Sequence, residues 1–109
     1  MEAFADRHCI PCEGGIEAMS LEAAQAAMSS LDPAWRLDET GRQLQRDYRF
    51  PNFLRTMSFV NALAHIANVE DHHPDLALGY NYCRIVYTTH AIHGLSENDF
   101  ICAAKIDRL

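Results

Sequence analysis

Residues 51–74 read PNFLRTMSFVNALAHIANVEDHHP, and this stretch decides the architecture. Pro51-Asn52 opens a helix. Phe53, Met57, Val60 and Ala64 then recur at the spacing of one helical face, with Phe59, Leu63, Ile66 and Ala67 as a second stripe beside it. The pattern predicts the longest helix of the chain, over roughly 53–69. Its apolar arc is wider than one sheet face requires, so the helix is either central and well buried or partly committed to a subunit interface. Asp71-His72-His73-Pro74 ends it, because a residue before proline is pushed out of the helical region.

Strand signals lie on both sides of this helix. Upstream, Trp35 and Leu37 suggest a short strand, Asp38-Glu39-Thr40-Gly41 a turn, and 43–50 a second strand with Leu44, Arg46, Tyr48 and Phe50 on one face. Downstream, Leu76 and Leu78 begin a third strand, which Gly79 breaks. A fourth spans 80–89, with Cys83, Ile85 and Tyr87 pointing one way. A first helix follows the N-cap Ser20, with Leu21, Ala24, Met28 and Leu31 on one face, and Asp32-Pro33 stops it. Ser96-Glu97-Asn98-Asp99 resembles a capping box with Asp in the usual Glu or Gln place, and opens a last helix over 97–108. The order α-β-β-α-β-β-α favours an α+β layer, an antiparallel sheet covered on one side. Residues 1–18, punctuated by Pro11, Gly14 and Gly15, read as a flexible leader, and 19–109 as a single domain.

Composition narrows the function classes. A chain of 109 residues that is 49% hydrophobic can bury one modest core. No apolar run approaches the ~20 residues of a membrane span. The N-terminus lacks the basic-then-apolar order of a secretory signal, so a cytoplasmic location is the default expectation. A formal net charge of -6 argues against a broad nucleic-acid footprint and leaves room for a small polar ligand or a protein partner. Cys9 and Cys12 have the Cys-x-x-Cys spacing, but no second pair follows at zinc-ribbon distance, so a mobile leader is favoured over a metal clip or a redox pair. Cys83 and Cys102 read as buried free thiols.

The chemistry gathers around three imidazoles. His72 and His73 leave the long helix beside a kink, and His90 ends the fourth strand. Imidazole titrates nearest neutrality, so such a cluster can hold a proton donor and an acceptor around a polar heterocycle. That suits an elimination in which one group protonates a leaving hydroxyl and another takes a proton from an adjacent nitrogen. Asp71 could fix a histidine tautomer or bind substrate, and Thr88 and Thr89 could supply hydroxyls. A divalent metal is the chemical rival, but adjacent His72 and His73 do not readily face one tetrahedral ion, and i, i+4 ligand spacing is absent. His8, His65 and His93 read as surface or core-edge residues, and Asp99 as a helix-start carboxylate.

On these residues the chain resembles the pterin-4a-carbinolamine dehydratases. The resemblance is carried by His72-His73-Pro74, Tyr80 six positions beyond Pro74, His90, Thr89-His90 running on to Gly94-Leu95-Ser96-Glu97, and Asp99, with looser agreement at Trp35, Tyr48-x-Phe50 and Phe53 to Phe59. It covers roughly residues 20–108, and even the stretch from Cys9 to Gly15 resembles an extension found in many members. The resemblance implies a four-stranded antiparallel sheet with three helices on one face. It also implies a lyase that dehydrates 4a-hydroxytetrahydrobiopterin to the quinonoid dihydropterin and so supports tetrahydrobiopterin recycling. His72 and His90 would be acid and base, His73 would bind the pterin, and Asp71, Thr88 and Thr89 would line the pocket. No metal or organic cofactor would be needed, and the chain would form a homodimer or homotetramer. Asn68 and Ala91 stand where the family often carries acids, which leaves a different pterin, including one of molybdopterin metabolism, as an alternative. A non-catalytic dimerisation or binding module is the other.

Overall fold

The computed structural model describes residues 2–11 and 16–109. Among the described residues, three helices and four strands follow in the predicted order: α1 (Leu21–Ala27), β1 (Arg36–Leu37), β2 (Leu44–Arg49), α2 (Phe53–Glu70), β3 (Asp75–Gly79), β4 (Tyr82–Tyr87) and α3 (Glu97–Asp107). The strands form one antiparallel sheet in the order β1-β2-β4-β3. The chain is α+β. No helix among the described residues is long and apolar enough to cross a membrane.

Period-two alternation sorts the sheet into a wet and a dry face. Leu44, Cys83, Ile85 and Tyr87 are buried together with Val60 and Leu63 of α2 and Phe100, Cys102, Ala103 and Ile106 of α3. On the other face Asp47 accepts hydrogen bonds from Arg36 at 3.1 Å and Arg84 at 2.9 Å, tying three neighbouring strands. The β1–β2 turn is built by Asp38, whose Oδ1 accepts the Arg42 N–H at 2.8 Å. Gly41 takes φ +69 in that turn, and a Cβ there would stand 2.6 Å from Leu21 Cδ1.

Both helix starts expected from capping residues are present. The Ser20 hydroxyl accepts the Ala23 N–H at 3.1 Å, and Ser96 and Asp99 form a reciprocal capping box. β4 is shorter than predicted: the pairing of Gly79 with Tyr82 puts Tyr80 and Asn81 in a two-residue hairpin turn, and Thr88 and Thr89 leave the sheet. Leu21, placed on the buried face of α1 by periodicity, is 45% exposed at the helix start.

The first residues, read as a leader outside the domain, are laid against it. A 3-10 turn at Phe4–Asp6 stacks Phe4 on Phe100 with centroids 5.8 Å apart. Lys105 Nζ donates to the Ala5 carbonyl at 3.0 Å, Arg108 pairs with Asp6 at 2.8 Å, and Arg7 pairs with Glu97. The physical reason is that Phe100 and Lys105 of α3 and Arg108 just beyond it offer an apolar ring and two cations, and the segment 4–6 supplies their partners. Cys12, Gly14 and Gly15 lie outside the described residues.

Candidate active site

α2 ends by a specific backbone device, and that device aims the histidines. Asp71 adopts a left-handed conformation (φ 50), its N–H bonds to the Asn68 carbonyl, and the His72 N–H reaches back to the Ala67 carbonyl at 3.1 Å. This is a Schellman termination, with Asp in the place glycine usually takes; Asp tolerates the left-handed region better than most residues, at a cost of about 1 kcal/mol. Pro74 acts afterwards, by keeping His73 extended. The helix end therefore delivers Asp71, His72 and His73 in one reversal of the chain.

His72 is the anchored member. Its ring stacks on Tyr87 with centroids 5.5 Å apart and planes at 10°, and the Tyr87 hydroxyl donates to its carbonyl at 3.2 Å. Nε2 lies 2.6 Å from Oδ1 of the fully buried Asp99. The His72 side chain is 12% exposed. Burial disfavours its charged form, but the hydrogen bond and charge of Asp99 outweigh this, with help from Cys102 and Asp71, so its pKa lies above the ordinary histidine value. Asp99 itself is held by three donors: its Oδ2 accepts the Thr89 hydroxyl at 2.8 Å and the Ser96 N–H at 3.0 Å, while Oδ1 faces His72.

All six residues singled out from sequence border one cleft of about 640 Å³: Asp71, His72, His73, Thr88, Thr89 and His90. They differ in what their polar atoms can still do. His73 is exposed, with Nε2 3.2 Å from Asn68 Oδ1. His90 is exposed at the start of a 3-10 turn, His90–Ile92. The Thr88 hydroxyl donates to the Arg42 carbonyl at 2.7 Å and is committed to the backbone. The Thr89 side chain bonds to Asp99 and Ser96, so its hydroxyl is committed to the carboxylate it supports.

Two groups were not legible as site residues. Asp99 was read as a helix-start residue; it is one, and the same carboxylate also holds His72. Its substitution for the usual Glu or Gln of a capping box was the available signal. The other group is the wall formed by Cys9, Ile10 and Pro11, with Glu70 and Asn98 behind it. Glu70 Oε1 accepts the Cys9 N–H at 2.7 Å and Oε2 lies 2.8 Å from His8 Nδ1. Asn98 clasps Ile10 through both amide atoms, accepting its N–H at 3.1 Å and donating to its carbonyl at 2.6 Å. His8, expected at the surface, is 78% exposed along its side chain and still engages Glu70. Among the described residues, no group of three or more His, Cys, Asp or Glu side chains is arranged to hold a metal ion.

Sequence and fold together place the chain in a known class of protein. The sequence model of the pterin 4 alpha carbinolamine dehydratase family matches residues 17–109, and the chain belongs to that family. A Nitrosomonas eutropha protein, provisionally named pterin-4-alpha-carbinolamine dehydratase, is 52% identical over 106 residues, 97% of this chain and 92% of the relative. A Legionella pneumophila protein with the same provisional name is 50% identical over 97% of this chain and 94% of the relative. The crystal structure of a transcriptional coactivator/pterin dehydratase from Brucella melitensis superposes with a TM-score of 0.78 at 25% identity, over 84% of this chain and 97% of that one. A pterin dehydratase-like protein described as a RuBisCO assembly factor in the alpha-carboxysome shares the fold, with a TM-score of 0.60 at 24% identity over 69% and 87% of the two chains.

Proposed function

We propose that this protein dehydrates a 4a-hydroxytetrahydropterin, 4a-hydroxytetrahydrobiopterin in the first instance, to the quinonoid dihydropterin, by acid–base catalysis on histidines. The observation that carries the proposal is the buried Asp99 carboxylate bound to His72 at the edge of a cleft that His73 and His90 also border. The fixed carboxylate raises the pKa of His72 and so favours its protonated form, and with Nε2 engaged by Asp99 it is Nδ1–H that is left to donate. His72 is therefore the general acid. It gives its proton to the 4a-hydroxyl as the carbon–oxygen bond breaks and water leaves. His90, exposed and bordering the same cleft, takes the proton from the neighbouring ring nitrogen, and that electron pair closes the new carbon–nitrogen double bond. His73 and Asp71 hold the polar edge of the pterin, and Thr89 serves by fixing Asp99. The reaction would return the pterin to a reducible form in the cytoplasm, supporting tetrahydrobiopterin recycling.

The same reading includes self-association. β3 is an edge strand that pairs only with β4 among the described residues, and Leu76, Leu78, Tyr80, Phe53 and Leu54 leave apolar surface exposed around it and at the start of α2. A homodimer or homotetramer would cover that surface.

The test is the decay of the ultraviolet signal of the 4a-hydroxypterin. Purified protein should accelerate it, and His72→Ala and His90→Ala should each lose on the order of 10²-fold or more of that acceleration. Unchanged rates in both variants would reject the assigned roles.

A further inference from the structure

Cys9 and Cys102 come from opposite ends of the chain, yet their sulfurs lie 3.6 Å apart. Cys102 is fully buried on α3, with its sulfur 3.9 Å from the His72 carbonyl, whereas Cys9 is partly exposed and borders the cleft. The approach does not depend on the thiols alone. Glu70 grips the Cys9 N–H, Asn98 clasps Ile10, and the Cys9 thiol also points to the Asn98 carbonyl at 3.6 Å. Both gripping side chains are buried, so two polar groups of the domain are spent on holding this segment beside Cys102. A disulfide bond is about 2.05 Å long, so joining the pair requires roughly 1.5 Å of closure by an exposed segment.

The two thiols are unequal. The hydrogen bond from Cys9 holds the Cys102 thiol below the usual cysteine range against the cost of burial, aided by the Tyr87 hydroxyl and by His72. The same bond, together with burial, keeps the proton on Cys9.

We propose that Cys9 and Cys102 form a thiol–disulfide site, in which a small-molecule disulfide converts the pair to an intramolecular disulfide that fastens the N-terminal segment across the rim of the cleft. Cys9, the sulfur within reach of the cleft, gives up its proton and attacks one sulfur of the reagent, breaking its bond and releasing one thiol. The Cys102 thiolate then attacks Cys9 Sγ, breaks the mixed disulfide and releases the second thiol. The protein loses two hydrogens, and the reagent gains them as two thiols. Excess thiol reverses both steps. The cysteine at position 12, three residues after Cys9 in the sequence, is the competing partner.

The test uses the full chain with oxidised glutathione as the probe, followed by alkylation and peptide mapping. Titratable thiols should fall from four to two, with Cys9 and Cys102 in one cross-linked peptide. Cys12→Ser should preserve that cross-link, and amide exchange at residues 8–10 should slow on oxidation and recover on reduction. Cys102→Ser should stop at a glutathione adduct on Cys9. If that buried substitution prevents folding by circular dichroism, Cys9→Ser, on the exposed segment, decides instead, and should show no cross-link to Cys102. A Cys9–Cys12 cross-link, an adduct that never resolves in the unmodified sequence, or four unchanged thiols would each overturn the proposal. None of these readouts depends on dehydration, so the site can fail or stand independently of the catalytic reading.

Discussion

Asp99 meets three demands with one carboxylate: it caps α3, anchors Thr89 and raises the pKa of His72. Each partner lies in a different element, so the carboxylate is both a fold determinant and a positioning group. Asp99→Asn keeps the volume but removes the charge and one acceptor, and should cost about 3 kcal/mol of stability, the scale of breaking a buried ionic contact. In the catalysed reaction it should lower kcat more than it raises KM. It should also move the alkaline limb of the pH profile to lower pH, because His72 must be protonated to act and loses the group that holds its proton. A merely structural role would leave that limb where it is. The stability linkage has a definite sign. The folded-state pKa of His72 lies above its unfolded value, so the associated stabilisation is complete below about pH 6.5 and is lost as pH rises through the raised value. Urea midpoints should fall across that window in the native protein and fall less in Asp99→Asn.

Helix termini position nearly everything that matters in the cleft. α2 ends by turning Asp71 left-handed, and its last residue, Glu70, carries a negative charge at the negative end of the helix dipole. That placement is unfavourable unless other groups compensate. Burial pushes the Glu70 pKa up, but the Cys9 N–H, His8 and Lys105 more than reverse this, so it lies below the ordinary carboxylate value. The stabilisation it lends the N-terminal segment is therefore present above about pH 4.3 and disappears as pH falls through the lowered value. Hydrogen exchange at the Cys9 and Ile10 amides should accelerate over that acid range. Asn98→Ala should accelerate it at neutral pH, because both bonds to Ile10 go at about 1–1.5 kcal/mol each. Unaltered exchange in Asn98→Ala would mean the segment is held by other contacts. Capping residues made these termini legible in the sequence at Ser20 and Ser96. The left-handed Asp71 was not, because the adjacent proline offered a sufficient reason for the helix to stop.

The chain closes on itself around α3. Asp107 at the end of α3 accepts from Trp35 Nε1 and from Arg46, both at 2.7 Å, joining the last helix to β1 and β2. Beside it the N-terminal segment lies along α3, with Ala5 and Asp6 held by Lys105 and Arg108. The β3 edge is left open, with Leu76 and Leu78 each 37% exposed although they share the dry face with Ile85 and Cys83. Light scattering should give a mass that is a multiple of the 12.3 kDa chain. Leu76→Lys should reduce that mass toward one chain, since a charge on an apolar edge opposes strand pairing and burial. A single-chain mass in the unmodified protein would remove the self-association reading. Of the broad apolar arc of α2, Val60, Leu63 and Ala67 are buried, Met57, Phe59, Ala64 and Ile66 are half-buried and Phe53 is exposed; Leu54 and Val69, outside the arc, are exposed as well.

Local patterns determined the order of elements, the faces of β2 and β4 and the helix starts, because periodicity and capping act over a few residues. The grouping of Asp71, His72, His73, Thr88, Thr89 and His90 came from imidazole chemistry and the family resemblance. Only the tertiary structure decided that Asp99 holds His72 across 27 positions and that Thr88 spends its hydroxyl on Arg42. It alone placed Cys9 and Cys102 side by side, 93 positions apart. Such contacts carry no local signature: a carboxylate or thiol acquires its partner from how helices and sheet stack, and burial then gives that partner its energetic weight.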